Sequence, residues 1–295
     1  MKGRPRTSFV IATRDRSEQL RVVVDRLLST TKCPIIVVDN ASRDDSVAAV
    51  RRVAAQHPGR VTTVCLDSNE GAVARNIGVA QCNTPYVAFC DDDSWWDPDA
   101  IGLAEAVFDR YATVALLAAR TVVYPQHRDD PLVAQLADSP LGRDPQLPGP
   151  SILGFQACSA MVRKTAFEAA GGFSPILHFR GEEELLAWDL AAGGWDLCFC
   201  RALVAYHEPS TVRETSHTEQ ARVLRNTALS AGLRRPLSRC LRSGAALVWA
   251  ACRHNQDGAY TQALREAAAA LPDVIRARHR LPDHVEQSVR LLETR

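Results

Sequence analysis

Pro85-Tyr86-Val87-Ala88-Phe89-Cys90-Asp91-Asp92-Asp93-Ser94-Trp95-Trp96 is an apolar run that stops abruptly in three carboxylates. The run has the length and residue types of a buried strand. Adjacent like charges raise one another's pKa, so a fold tolerates three of them when cations are close at hand. A divalent metal is the natural counter-charge. Alternation along an extended chain puts Asp91 and Asp93 on one side and Asp92 on the other. Two carboxylates can then converge on Mg2+ or Mn2+, leaving the other positions to phosphate oxygens and water. The competing reading is a solvated acidic turn followed by a helix cap.

Working outward, short apolar runs at 8–12, 35–39, 61–66, 86–90 and 114–118 alternate with stretches at 18–28, 46–55, 72–80 and 99–111 whose apolar residues recur every three or four positions. That alternation predicts βαβ units and an α/β, Rossmann-like fold with a mainly parallel central sheet. Such sheets bind ligands at the carboxyl ends of their strands, where loops and helix N-termini converge.

The polar residues fall at those ends. Strand two ends in Asp39-Asn40-Ala41-Ser42, where a carboxylate can accept hydrogen bonds from a base or ribose, or simply form an Asx turn. Strand one ends in Thr13-Arg14-Asp15-Arg16, a set suited to a nucleotide or its phosphates and equally to capping the first helix. Asn69-Glu70-Gly71 opens a helix that carries Arg75-Asn76 one turn in and Gly78 beyond. A helix N-terminus attracts anions, and Arg75 can neutralise a diphosphate. Gly181-Glu182-Glu183-Glu184 starts another helix, where acidic residues complement the dipole or supply a general base. His207 ends a strand, where a neutral imidazole can complete a metal shell begun by Asp93.

The chain of 295 residues is 46% hydrophobic and 23% charged, with 35 basic and 34 acidic side chains and a net charge of +1. Disordered and low-complexity classes are excluded, and no global field draws the molecule onto nucleic acid. Nine cysteines lack any CxxC pair and read as reduced core residues, which points to the cytoplasm. No signal peptide is expected at the N-terminus, and the apolar run 245–252 is far short of the ~20 residues of a membrane span. Residues 124–150 hold six prolines and little periodicity, predicting a long surface loop. From residue 213 onward, 14 arginines face 8 acidic residues, a local net charge of +6. The expected division is an α/β ligand-binding domain at 1–211 and an Arg-rich helical extension at 212–295. Arg213, Arg222, Arg225, Arg234, Arg235, Arg239 and Arg242, with the run 245–252, offer a peripheral contact to acidic headgroups or a phosphate-bearing acceptor, against the plainer reading of helices that close the domain.

Taken together, these pieces resemble inverting family 2 glycosyltransferases of the glycosyltransferase A fold, over about residues 8–210. The motifs stand in that family's order: Thr13 to Arg16, the Asp39 strand end, Asn69/Gly71/Arg75-Asn76/Gly78, the Asp-x-Asp motif at Asp91 and Asp93, Gly172-Phe173, Gly181-Glu182-Glu183 and His207. The resemblance implies a nucleotide-diphosphate sugar donor, with UDP or dTDP expected ahead of GDP. Thr13, Arg14, Asp15, Asp39, Asn69 and Arg75 would lie around its nucleotide, with Asp91 and Asp92 nearby. Asp93 would hold Mn2+ or Mg2+ on the diphosphate, joined by His207 and Asp91. The family places a Glu-Asp pair where this chain has Glu182-Glu183, so the expected base is Glu183, with Glu182 the alternative.

Two rivals share some of these features. A sugar-phosphate nucleotidyltransferase needs a glycine-rich loop after strand one, and Thr13 to Arg16 contains no glycine. A non-catalytic nucleotide-sugar-binding scaffold would hold donor without transfer. Acceptor and oligomeric state are open.

Overall fold

The computed structural model describes residues 5–209, 216–254 and 258–294. The first half runs β1 (Thr7–Thr13), α1 (Ser17–Thr30), β2 (Ile35–Asp39), α2 (Ser46–Gln56), β3 (Val61–Cys65), α3 (Val73–Ala80), β4 (Tyr86–Asp91), β5 (Ser94–Trp96) and α4 (Ala100–Arg110). There follow β6 (Val114–Val123), β7 (Arg128–Asp129), α5 (Pro131–Ala137), β8 (Ala160–Arg163), α6 (Lys164–Ala169), α7 (Glu182–Ala192) and β9 (Asp196–His207). The extension is α8 (Ser216–Arg234), α9 (Leu237–Arg253), α10 (Ala259–Ala269), α11 (Leu271–Ala277) and α12 (Asp283–Leu292).

The strands form one sheet in the order β3-β2-β1-β4-β8-β6-β9-β5, with β7 on β6. Its first four strands are parallel, as right-handed βαβ crossovers require. Beyond β4 the sheet is mixed rather than mainly parallel: β8 runs antiparallel to both β4 and β6, while β9 returns parallel to β6. Residues Asp196–His207 form one long strand, β9, whose register with β6 slips between Ala119 and Arg120. Ser94–Trp96, unforeseen as a strand, pairs antiparallel with β9 and sets Ser94 opposite His207.

Alternating strand residues feed two cores. Phe9, Ile11, Ile35 and Val37 pack with α1 and α4, and Val10, Ile36, Val38 and Phe89 pack with α3, α6 and α7. Gly78 lets α3 close on the sheet, since a Cβ there would lie 2.5 Å from Val10 Cγ1. A third core joins Leu185 and Trp188 of α7 to Leu229, Leu247 and Val285 of the extension.

Two expectations need correction. The stretch 124–150 is not a featureless loop: Asp130 accepts a hydrogen bond from Leu132 N at 2.9 Å and Pro131 opens α5. Proline breaks a helix interior but suits the first turn, where no N–H is required. Part of the basic excess of the extension is internal: Arg235 is 3% exposed and ion-paired to Glu286 and Glu293, and Arg234 pairs with Asp189 of α7 at 2.5 Å. Arg234 and Arg235 thus tie the extension together and to the domain and are not available to headgroups, whereas Arg242 and Arg253 are exposed. The division at 211/212 and Arg213 lie outside the described residues. Six of the nine free cysteines are buried, whereas Cys65 and Cys252 are exposed. Among the described residues no helix is long and apolar enough to cross a membrane.

Candidate active site

The parallel registers align the carboxyl ends of three strands. Thr13 lies opposite Asp39, and Ala12 opposite Asp91, so residues far apart in sequence become neighbours. Arg75, 6% exposed on α3, donates from Nη2 to Asp91 Oδ1 at 2.5 Å. Asp92 accepts from Thr13 Oγ1 at 2.8 Å. Arg16 lies 3.4 Å from Asp92 Oδ1 and 3.6 Å from Asp93 Oδ2. The chain turns at Asp92-Asp93, so strand alternation ends at Asp91 and one guanidinium reaches both later carboxylates. Burial pushes the Asp92 carboxyl up to about 7, with Arg16 opposing that shift and Asp93 adding to it.

His207 Nε2 lies 3.4 Å from Asp93 Oδ1. Burial works to lower the imidazole pKa, but the contact with Asp93 lifts it above its ordinary value. Among the described residues no group of three or more His, Cys, Asp or Glu side chains gathers as a complete ion cage. The pair instead offers one carboxylate and one imidazole 3.4 Å apart, both partly open. Mg2+ and Mn2+ commonly take one or two protein ligands and fill the rest of the shell with phosphate oxygens and water. The donor set therefore fits such an ion.

A cavity of about 290 Å3 opens beside this centre and is lined by Thr13, Arg14, Asn40, Asn69, Arg75 and His178, among others. Of the residues expected around a nucleotide, Asp15 and Asp39 are not on its wall. Asp15 Oδ1 accepts from Arg43 N at 2.6 Å, and Asp39, 3% exposed, accepts from Ser42 N at 3.0 Å. Both carboxylates shape the turns that frame the cavity.

Asn40, His178 and Arg222 also line this cavity and were not among the residues expected around a nucleotide. Asn40 was in view beside Asp39. It holds the 69–71 turn, accepting from Glu70 N at 2.7 Å and donating to Gly71 O at 3.1 Å. No sequence signal marked His178, and Arg222 stood out only as one of the extension's arginines, because both reach this cavity from other parts of the fold. Gly71, at φ +60°, lets His178 approach: a Cβ there would lie 2.2 Å from the His178 carbonyl oxygen, which accepts from Ala72 N at 2.7 Å. Asn76, next to Arg75 in the motif, clamps Phe173, donating to its carbonyl at 2.8 Å and accepting from its N–H at 2.9 Å.

At the start of α7 the two glutamates differ. Glu182 is 2% exposed and its Oε2 has no hydrogen-bond partner. Glu183 is half-buried on the wall of a second cavity. Burial holds both carboxyls above the ordinary glutamate range, with Arg75 pulling each back down.

An open α/β sheet with a strand-end carboxylate run, a neighbouring histidine and a polar cavity at the same edge defines the class of nucleotide-binding transferase folds. Residues 8–171 match Glycosyl transferase family 2, and the chain belongs to that family. It is similar to pre-mycofactocin glycosyltransferase of Mycobacterium tuberculosis, 30% identical over 220 residues, 70% of this chain and 44% of that protein. The succinoglycan biosynthesis protein ExoU of Rhizobium meliloti is 30% identical over 96 residues, 32% of this chain and 28% of that protein. The chain thus spans less than half the length of these relatives. In fold it is similar to mannosyltransferase PcManGT from Pyrobaculum calidifontis in complex with GDP-Man and Mn2+, with a TM-score of 0.61 at 21% identity, covering 99% of this chain and 80% of that one. It is also similar to S. aureus TarS 1-349 in complex with UDP-GlcNAc, with a TM-score of 0.56 at 15% identity over 96% and 83% of the two chains. The architecture is the glycosyltransferase A fold.

Proposed function

We propose that the protein is a metal-dependent inverting glycosyltransferase that moves a sugar from a nucleotide-diphosphate sugar to an acceptor hydroxyl. The observation that carries this reading is the place of Arg75. It lines the first cavity, binds Asp91, and sits near enough to Glu183 to act on that carboxylate. One residue therefore links the site for a diphosphate to a base on a second cavity.

Thr13, Arg14, Asn69 and Arg75 would bind the nucleotide, with Asn40, His178 and Arg222 added to the expected set. Asp93 and His207 would hold Mn2+ or Mg2+, with Asp91 near. When bound, the ion supplies Lewis-acid neutralisation of charge growing on the leaving diphosphate. Glu183 accepts the acceptor's hydroxyl proton as that oxygen bonds to the anomeric carbon. The bond from that carbon to the phosphate oxygen breaks on the opposite face, so the centre inverts. Glu182, shut in the core, supports the start of α7 and is not placed to take that proton. UDP or dTDP is proposed ahead of GDP as the donor's nucleotide, on the family resemblance alone.

The nine free cysteines support a reducing, cytoplasmic setting. Peripheral membrane contact would fall on α9, where Leu237, Leu241, Val248 and Trp249 are exposed beside Arg242 and Arg253. An apolar stripe with a tryptophan and flanking arginines is the pattern of helices that lie in an anionic interface. Cosedimentation with phosphatidylserine vesicles, and its loss in Leu241→Asp, tests that contact.

The function itself is tested by incubating UDP-, dTDP- and GDP-sugars with Mn2+ and following nucleoside diphosphate release. Release that chelation stops supports the reading. Binding without release would favour a scaffold, and release of pyrophosphate from a nucleoside triphosphate and a sugar phosphate a nucleotidyltransferase.

A further inference from the structure

The second cavity, of about 290 Å3, shares no lining residue with the first. Its wall comes from α5, the segment 152–155, the start of α7 and the last residue of α12. Leu132, Leu136, Ile152, Leu153, Phe155 and Leu292 supply its apolar surface, and the polar side chains on it are Gln135, Ser139, Glu183 and Glu184.

We infer that this cavity is the acceptor site, and that it takes a hydroxyl carried on a compact apolar body, such as a phenol or an aliphatic alcohol, rather than a free saccharide. The inference rests on the transferase reading, since it gives Glu183 the task of taking the acceptor's proton. Its chemistry follows from the wall. A sugar ring brings several hydroxyls, and each one buried against leucine, isoleucine or phenylalanine without a partner costs about 1–3 kcal/mol. Four polar side chains, Gln135, Ser139, Glu183 and Glu184, stand against six apolar ones, so much of a hydroxyl-rich ring would face wall that offers it no partner, whereas an alkyl or aryl body gains from the same wall. A single hydroxyl meets Glu183. The volume sets the size, at the small end of ligand cavities. Leu292 makes the extension part of acceptor choice, because α12 closes one side of the cavity.

Gly154 allows the cavity to be filled without strain. It lies on the wall, its φ is not in the left-handed region, and a Cβ built there meets nothing within 4 Å. The experiment compares the full chain with Gly154→Phe and Leu292→Ser, using 4-ethylphenol, 1-hexanol and methyl glycosides as probes. Binding of each probe is followed by ligand-observed NMR, and transfer from the nucleotide sugar by mass spectrometry of the product. Thermal melts establish that both variants fold.

The expected result is that the phenol or alcohol binds and is glycosylated, and that Gly154→Phe weakens that binding by about tenfold or more. Transfer to methyl glycosides alone, or phenol binding that Gly154→Phe leaves unaltered, overturns the inference while the transferase reading stands. If no nucleotide sugar turns over but the apolar probes still bind and Gly154→Phe expels them, the transferase reading fails and the apolar cavity is upheld.

Discussion

Asn226 of α8, 2% exposed, donates its side-chain amide to the Phe179 carbonyl at 2.8 Å. The same nitrogen lies within 3.1 Å of the carbonyls of Leu177 and Arg180, while Arg225 Nε donates to Asn226 Oδ1 at 2.8 Å and so orients the amide. The segment it holds contains His178 and Arg180 at φ +63° and +78°, a conformation that costs side-chain-bearing residues about 1–3 kcal/mol and persists only when neighbours enforce it. One asparagine from the extension therefore fixes the wall of the first cavity, the proposed nucleotide site, and the entry to α7.

Replacing Asn226 by alanine leaves carbonyl oxygens without their donor. The expected cost is about 1–3 kcal/mol of stability in denaturant titration. Because His178 moves with the segment, the KM for donor should rise by more than the stability loss accounts for at a temperature where the variant is folded. An unaltered KM would show that the extension does not brace the site.

Gly71→Ala should be more damaging than its size suggests. The new Cβ would stand 2.2 Å from the His178 carbonyl oxygen, at φ +60°. Strain alone is about 1–3 kcal/mol, and the clash drives apart two walls of the nucleotide cavity. Calorimetry with UDP in the presence of Mn2+ should show binding weakened by about tenfold or more. Retained affinity would mean that the close approach of 71 and 178 does not shape the site.

Asp93→Ala and His207→Ala should each lower metal-dependent turnover by about a hundredfold or more, with unchanged melting of the metal-free protein to within about 1 kcal/mol. Chelation of the wild type should mimic both, and added Mn2+ should restore only the wild type. Full activity after exhaustive chelation would remove the ion from the reaction.

Glu183→Gln should cut kcat by about 10²–10⁴ and change donor affinity little, whereas Glu182→Gln should cost less. Because the Glu183 carboxyl is raised by burial, the acid limb of kcat/KM should fall above the ordinary glutamate value of 4.5, with activity lost as pH drops through it. If Glu182→Gln is the damaging change, the roles are reversed.

The same burial gives Glu182 a signature in stability. Its folded-state pKa stands above the 4.5 of an unfolded glutamate, so the folded chain binds more protons between the two values. Its contribution is complete below 4.5 and is lost as pH rises through the elevated value. Glu182→Gln should flatten that decline in urea titrations run from pH 4.5 to 8, and an unchanged slope would show that its carboxyl titrates normally.

The order of residues in the chain by itself determined the parallel half of the sheet, because β1 to β4 and the helices between them are local patterns of period 2 and 3.6. It also singled out the candidate site residues, since Asp91 to Asp93, Arg75, Glu183 and His207 all sit at or near element ends that local patterns locate. Side-chain direction at those ends was decided by tertiary structure. Alternation could not foresee that the turn at Asp92-Asp93 would bring both carboxylates to Arg16, or that Asp39 would accept from Ser42 N through one oxygen while Asn40 lines the cavity wall. Nor does composition distinguish a surface arginine from Arg235, whose charge is neutralised within the extension by Glu286 and Glu293, some 50 residues further on. The cavities themselves were beyond sequence reasoning. Each is a space bounded by segments such as 71 with 178, or 154 with 292, and only packing between distant elements determines which side chains face one another across it.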